Sequence, residues 1–228
     1  MSIRMIAHRG YSGAFPGNTE LAFREAVKHG SAGAETDIRR TLDGFYVACH
    51  DDEARFADGT ALPVAASTLA ALTAKPLKND RTDDEVFLCT LERYLEVMRG
   101  GDMVCFIELK GPFTDEQVRE VFTIATDVYD LKKCILQSFS FDNLLRARAM
   151  FPSLPLMWTY GLAEDHYERC FEHGFSIDAD RLVVTEQMVL DFHERGLEVG
   201  VWTVNDAAEL ARVSALGVDY IESDVFGG

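Results

Sequence analysis

Short apolar runs alternate with amphipathic, helix-period stretches along nearly the whole chain, a pattern that fits βα units laid side by side in a parallel sheet. The runs predict strands at residues 3–7 (IRMIA), 33–38 (GAETDI), 103–109 (MVCFIEL), 133–139 (KCILQSF), 154–159 (LPLMWT), 175–179 (FSIDA), 198–204 (EVGVWTV) and 219–223 (DYIES). Helices are expected over residues 21–28, 90–98, 114–128, 141–150, 164–172, 186–194 and 207–215. Eight strands and seven helices in alternation predict an α/β fold, a TIM-type (β/α)8 barrel. Gly228 follows closely on the last strand, so a full eighth helix is not expected. The seam it would cover is either left thin or closed by a second copy of the chain as a homo-oligomer.

Two places break the alternation. TLDGFYVACHDDE carries an Asp-Gly turn between Asp37 and His50, which predicts that the second strand folds back as a hairpin. Residues 55–84 are polar, rich in Ala and Thr and weakly periodic, so they read as an insertion after the second strand within a single domain spanning 1–228. Insertions at strand C-termini commonly cover an active site.

With 47% hydrophobic residues the chain can bury a sizeable core. Its net charge of −16 opposes a polyanion, which argues against nucleic acid and against stable association with an anionic membrane. A small anionic substrate would need local positive charge from a cation or from basic side chains. Five cysteines form no CxxC pair and several sit in apolar runs, as expected of reduced core residues in a cytoplasmic protein. No run is long enough for a membrane span, and the start does not read as a signal peptide.

In such a barrel, polar residues at the C-terminal ends of the strands face one shared mouth. Here they are His8 and Arg9, Glu35 and Asp37, Glu108 and Lys110, Gln137, Trp202 and Asp224. Glu35 and Asp37 are spaced i, i+2, so both project from one face of an extended strand. Two carboxylates held together repel, and a divalent cation is a common way to keep both ionised. With Glu108 they make an all-oxygen set that suits Mg2+ or Ca2+. Lys110 repeats the i, i+2 relation from Glu108, and Arg9 adds a guanidinium able to grip a phosphate. His8 and His50 could serve as base and acid on either side of that phosphate.

Each of these features has a plainer reading. A lone acidic pair is usually an exposed strand edge, but this one sits in an apolar run. His29, His166, His173 and His193 fall on helices or helix ends and are read as structural. Trp158 and Trp202 divide evenly between core packing and the wall of a substrate pocket. Asn18 and Thr19 open the first helix and read as caps, while Gln137 and Ser138 are candidates to donate hydrogen bonds into the mouth.

The segment AHRGYSGAFPGNTELAFREAVKHGSAGAETDIRRTLDGFYVACHDDE resembles the N-terminal signature of the glycerophosphodiester phosphodiesterase family. The resemblance continues through TLERYLEVM, FIELK, LQSFSFDNL, VWTVND and GVDYIESD, leaving out only residues 55–84. It implies a barrel with a small insertion, a divalent metal, and hydrolysis of glycerophosphodiesters to sn-glycerol 3-phosphate and an alcohol. Carried over by position, Glu35, Asp37 and Glu108 are the expected metal ligands, His8 and His50 the acid and base, and Arg9 and Lys110 the phosphate binders. Three departures stand out: Gly17 where the family usually has Glu, Arg55 displaced by one position, and Ser223-Asp224 in place of Thr-Asp.

The expected mechanism has His8 as base and His50 as acid, the attacking oxygen being either water or the adjacent glycerol hydroxyl. The nearest rival is a lysophospholipase D-like barrel acting on lipids, which requires an exposed apolar patch. A non-catalytic binding barrel is the other, and it would be expected to have lost at least one of His8, Glu35, Asp37, His50 and Glu108.

Overall fold

The computed structural model describes residues 3–163 and 166–226. Eight parallel strands close into a barrel: β1 (Arg4–Ala7), β2 (Gly33–Arg40), β6 (Val104–Leu109), β7 (Cys134–Ser138), β8 (Leu156–Tyr160), β9 (Ser176–Asp180), β10 (Val199–Trp202) and β11 (Tyr220–Ser223). Closure runs through β1, which pairs with β11 (Ile6 opposite Glu222) and with β2 (Ala7 opposite Ala34). The expected barrel is therefore present.

The outer layer is α1 (Glu20–Lys28), α3 (Leu91–Gly101), α4 (Asp115–Val128), α5 (Phe141–Met150), α6 (Arg169–His173), α7 (Glu186–His193) and α8 (Ala207–Ala215). Among the described residues no helix follows β11. The first two residues of the helix expected at 164–172 lie outside the described residues, and its helical part is the short α6. Side chains of Thr19, Thr90, Thr114, Thr185 and Asp206 accept hydrogen bonds from first-turn amides, which fixes where these helices begin.

The hairpin signalled by Asp43-Gly44 is present. β2 pairs antiparallel with β3 (Tyr46–Ala48), Ile38 lying opposite Ala48. The following segment is more ordered than its composition suggested: β4 (Glu53–Arg55) and β5 (Ala61–Pro63) form a second hairpin, followed by α2 (Leu69–Thr73). Phe56, Val64 and Leu72 are buried there with Val47 and Leu88 in a small apolar cluster of their own. Irregular spacing of those apolar residues hid the cluster from a periodicity argument.

Inside the barrel the two-residue alternation of each strand sorts the interior by height. Ile6, Phe106, Ile135, Met157 and Tyr220 fill the N-terminal end as an apolar plug, with the Phe106 and Tyr220 rings edge to face at 5.0 Å. Two residues further along the same strands stand His8, Glu108, Gln137, Thr159 and Glu222. Outward-facing residues such as Ile38, Ile107, Trp158 and Ile177 are buried under the helices, so Trp158 is core. The plug and the helix layer hold a polar floor rigidly at the C-terminal mouth. No helix of the described residues is long and apolar enough to cross a membrane.

Candidate active site

The loop after β1 makes the first wall. Arg9 and Gly10 both adopt positive φ, at 57° and 75°. A Cβ on Gly10 would lie 2.6 Å from the carbonyl carbon of Ala22, so only glycine lets this turn pack on α1. The turn aims the Arg9 amide at Glu35 Oε2, 2.9 Å away, and sets its guanidinium Nε 3.3 Å from Asp37 Oδ2.

Glu35, Asp37 and Glu108 each offer a carboxylate oxygen within 4.8 Å of the others, all three buried. Lys110 Nζ lies 3.1 Å from both Asp37 Oδ1 and Glu108 Oε1. The four charges have different fates. Burial, reinforced by Asp37, Glu222 and Glu108, pushes the Glu35 carboxyl well above the usual range. Burial also raises Glu108, to about 7, against the opposing pull of Lys110. For Asp37 burial acts in the same direction but is outweighed by Lys110, Arg9 and Asn18, so it stays below its ordinary value. Lys110 is depressed by burial and more than restored by Glu108 and Asp37.

Glu35 Oε1 is buried and has no hydrogen-bond partner. An orphaned oxygen facing two further carboxylates is the arrangement a hard divalent cation satisfies, so these residues fit such an ion. A second set, His8, Glu35 and Glu222, also converges within 4.8 Å.

Asn18 corrects the sequence reading. Thr19 is the cap of α1, accepting from the Ala22 amide, whereas Asn18 is buried and donates its Nδ2 to Asp37 Oδ2 at 2.7 Å. Its Oδ1 accepts from the Thr36 hydroxyl and the Asp37 amide. Asn18 therefore orients a candidate ligand; the Asn-Thr pair before a helix carried only a capping signal.

The histidines each lean on an aspartate. His8 Nδ1 lies 2.8 Å from Asp224 Oδ1, and Asp224 also accepts from Ser12 and Asn205. Burial would raise the Asp224 carboxyl, yet the bonds from His8 and Ser12 hold it far below the usual range. His50 Nδ1 lies 2.9 Å from Asp51 Oδ1, and Arg39 fixes the His50 carbonyl from Nη2 at 2.7 Å. Burial pushes the His50 imidazole below its ordinary value despite Asp51.

Two cavities meet here, sharing His8, Arg9 and His50. One, about 110 Å³, goes down into the barrel past Glu108, Lys110, Phe139 and Trp202. The other, about 670 Å³, lies between the β1 loop and the segment after His50, and includes Gly17, Arg55 and Lys78. The residues predicted as catalytic, metal-binding or substrate-binding all reach this mouth: His8, Arg9, His50, Lys110, Glu108 and Trp202 as lining, Glu35 and Asp37 behind them. Of the two candidate donors, Gln137 lines the smaller cavity together with Glu222, and Ser138 does not. The Gln137 amide serves Glu222 at 2.7 Å, and the Ser138 hydroxyl turns outward to the Leu109 carbonyl. His29, His166, His173 and His193 line neither cavity. The departure at Gly17 is closely packed: a Cβ there would stand 3.1 Å from Arg9 Cβ and 3.2 Å from Ser12 Cβ, so a larger residue would press on both.

Residues 8–227, which hold all of this machinery, match the glycerophosphoryl diester phosphodiesterase family. The chain belongs to that family. Membership makes it an enzyme, a phosphoric diester hydrolase, as the resemblance implied. A glycerophosphodiester phosphodiesterase of Caldanaerobacter subterraneus is 27% identical over 231 residues, spanning 98% of this chain and 95% of the relative. The crystal structure of a family enzyme from Parabacteroides distasonis superposes with a TM-score of 0.81 at 25% identity, covering 97% of this chain and 92% of that one. An Oleispira antarctica phosphodiesterase solved with its product sn-glycerol-3-phosphate gives 0.86 at 24% identity, with 97% and 92% coverage, a likeness of fold.

Proposed function

We propose that the chain hydrolyses glycerophosphodiesters to sn-glycerol 3-phosphate and an alcohol, with a divalent cation held by Glu35, Asp37 and Glu108. The observation that carries this reading is the buried, unpartnered Glu35 Oε1 facing two more carboxylates, with Arg9 and Lys110 beside them and two aspartate-oriented histidines above.

Bound there, Mg2+ or Ca2+ would draw charge from the non-bridging phosphate oxygens. The Arg9 guanidinium can take two of those oxygens and the Lys110 ammonium acts as a point charge as negative charge builds. His8, with Nδ1 committed to Asp224, presents Nε2 as acceptor and removes the proton of the attacking oxygen, either water, which gives the monoester directly, or the neighbouring glycerol hydroxyl, which gives a cyclic phosphate that a water then opens to glycerol 3-phosphate. His50, on the segment that borders the larger cleft, gives a proton to the departing alkoxide. Its depressed affinity for that proton is restored by the phosphodiester anion beside it.

On the same reading the chain is a reduced, cytoplasmic protein acting on a small molecule. Its five cysteines are buried and unpaired, and a charge of −16 disfavours nucleic acid.

The deciding experiment is release of glycerol 3-phosphate from glycerophosphocholine and glycerophosphoethanolamine, followed with a coupled dehydrogenase after EDTA treatment and after Mg2+ or Ca2+ is restored. Metal-dependent release is expected; no release with any diester and metal overturns the reading.

One observation favours a second reading. Phe139, Leu162 and Leu182, at the C-terminal ends of β7, β8 and β9, are 44%, 69% and 59% exposed. This apolar rim is the feature a lysophospholipid substrate would use. Faster turnover of lysophosphatidylcholine than of glycerophosphocholine would select it.

A further inference from the structure

Two side chains on the floor of the smaller cavity have hydrogen-bonding capacity that the protein does not use. Thr159 Oγ1 and Asp178 Oδ1 are buried without a partner, and their residues are only 4% and 2% exposed. Asp178 makes no side-chain hydrogen bond to any described residue, although its backbone carbonyl accepts from Trp202 Nε1 at 3.0 Å. They stand side by side, opposite each other in the register of β8 and β9. Their place is prepared: a Cβ on Gly200 of the next strand would fall 2.6 Å from Asp178 Oδ1, so the glycine there makes room for the carboxyl group. Polar atoms this deep destabilise the fold unless something completes their hydrogen bonds.

The rest of the cavity says what would complete them. Its wall is apolar where Phe139 and Trp202 meet edge to face at 5.6 Å, and it is also lined by Glu108 and Lys110. A ligand that satisfies this lining sets an anionic group beside Lys110, a carbon skeleton against the rings and hydroxyls against Thr159 and Asp178. A volume of about 110 Å³ admits a short polyol, and the larger arm of a diester must turn into the cleft of about 670 Å³.

Resting on the hydrolysis proposed above, we infer that Thr159 and Asp178 bind the hydroxyls of the glycerol arm, and so fix which arm of the diester enters the barrel. The variable alcohol then leaves through the cleft bordered by Gly17, Arg55 and Lys78.

The test compares glycerophosphoethanolamine with bis(p-nitrophenyl) phosphate, a diester without hydroxyls, for the metal-loaded wild type, Thr159→Val, Asp178→Ala and Asp178→Asn. Thr159→Val and Asp178→Ala are expected to lower kcat/KM for the glycerol diester by about 5- to 50-fold, mainly through KM, and to change the aryl diester by less than about twofold. Asp178→Asn, which keeps a donor and an acceptor, should recover most of the loss. Retained turnover of the aryl diester certifies that a variant is folded; where the wild type cleaves only glycerol diesters, an unchanged Tm certifies the fold and a rise in KM with kcat held supports the subsite, a fall in kcat with KM held overturning it; should Asp178→Ala fail to fold, Thr159→Val decides alone. Equal losses on both substrates, or no loss on either, overturn the subsite and leave the hydrolysis standing. A wild type that cleaves the aryl diester but no glycerol diester overturns both.

Discussion

His8 Nδ1 and Asp224 Oδ1 stand 2.8 Å apart although 216 residues separate them, because the barrel closes by pairing β1 with β11. Ser12 and Asn205 hold the same carboxylate, so Asp224 stays ionised and accepts a hydrogen bond from His8 Nδ1–H, leaving Nε2 as the acceptor. Asp224→Asn would present an N–H to Nδ1 and move the imidazole proton to Nε2, the wrong tautomer for a base. A fall in kcat of at least ~10²-fold with little change in KM is expected by steady-state kinetics. A loss below threefold would remove the dyad from the mechanism.

The two histidines are separable by leaving group. His8→Ala should cost at least ~10²-fold in kcat on every substrate, because the attacking oxygen always loses a proton. His50→Ala should cost as much on glycerophosphocholine but far less on bis(p-nitrophenyl) phosphate, whose phenolate departs without protonation. The opposite pattern would exchange their roles.

Asn18 gives a prediction that a capping residue would not. Its amide holds Asp37 Oδ2 at 2.7 Å, so Asn18→Ala should weaken divalent-cation affinity by about 10–100-fold. Loss of a helix cap would instead appear as a lower Tm with affinity intact, and Thr19→Ala supplies that comparison. Titration calorimetry with Mg2+ and Ca2+ on both variants distinguishes the two.

The barrel was legible because parallel strands buried on both sides read as short apolar runs, and even the run FSIDA, diluted by Asp178, is β9. The i, i+2 spacing of Glu35 and Asp37 carried the candidate site for the same reason: strand geometry is local. Contacts between distant elements were not legible. Nothing near Asn18 announces Asp37, nothing near His8 announces Asp224, and the unpartnered atoms of Thr159 and Asp178 become visible only once neighbouring strands are in register. The small core around Phe56 and Leu72 was hidden because its members follow neither a helical nor a strand period.

Glu108 ties the proposed metal site to pH. Its carboxyl is raised from 4.5 to about 7 by burial and Asp37, against Lys110, so the fold favours its neutral form. An acid raised in the folded state costs nothing below its unfolded value, and costs progressively more stability as pH climbs from about 4.5 to about 7. A cation needs the ionised form, so binding reverses that preference and releases the proton. Affinity for Mg2+ or Ca2+ should therefore rise at least ~10-fold per pH unit below about 7, with Glu35, raised by deeper burial, steepening the slope. Titrations at several pH values across this range provide the measurement, and Glu108→Gln should bind more weakly with a shallower dependence. Affinity that is flat in pH for the wild type would mean that these carboxyls do not ligate the ion.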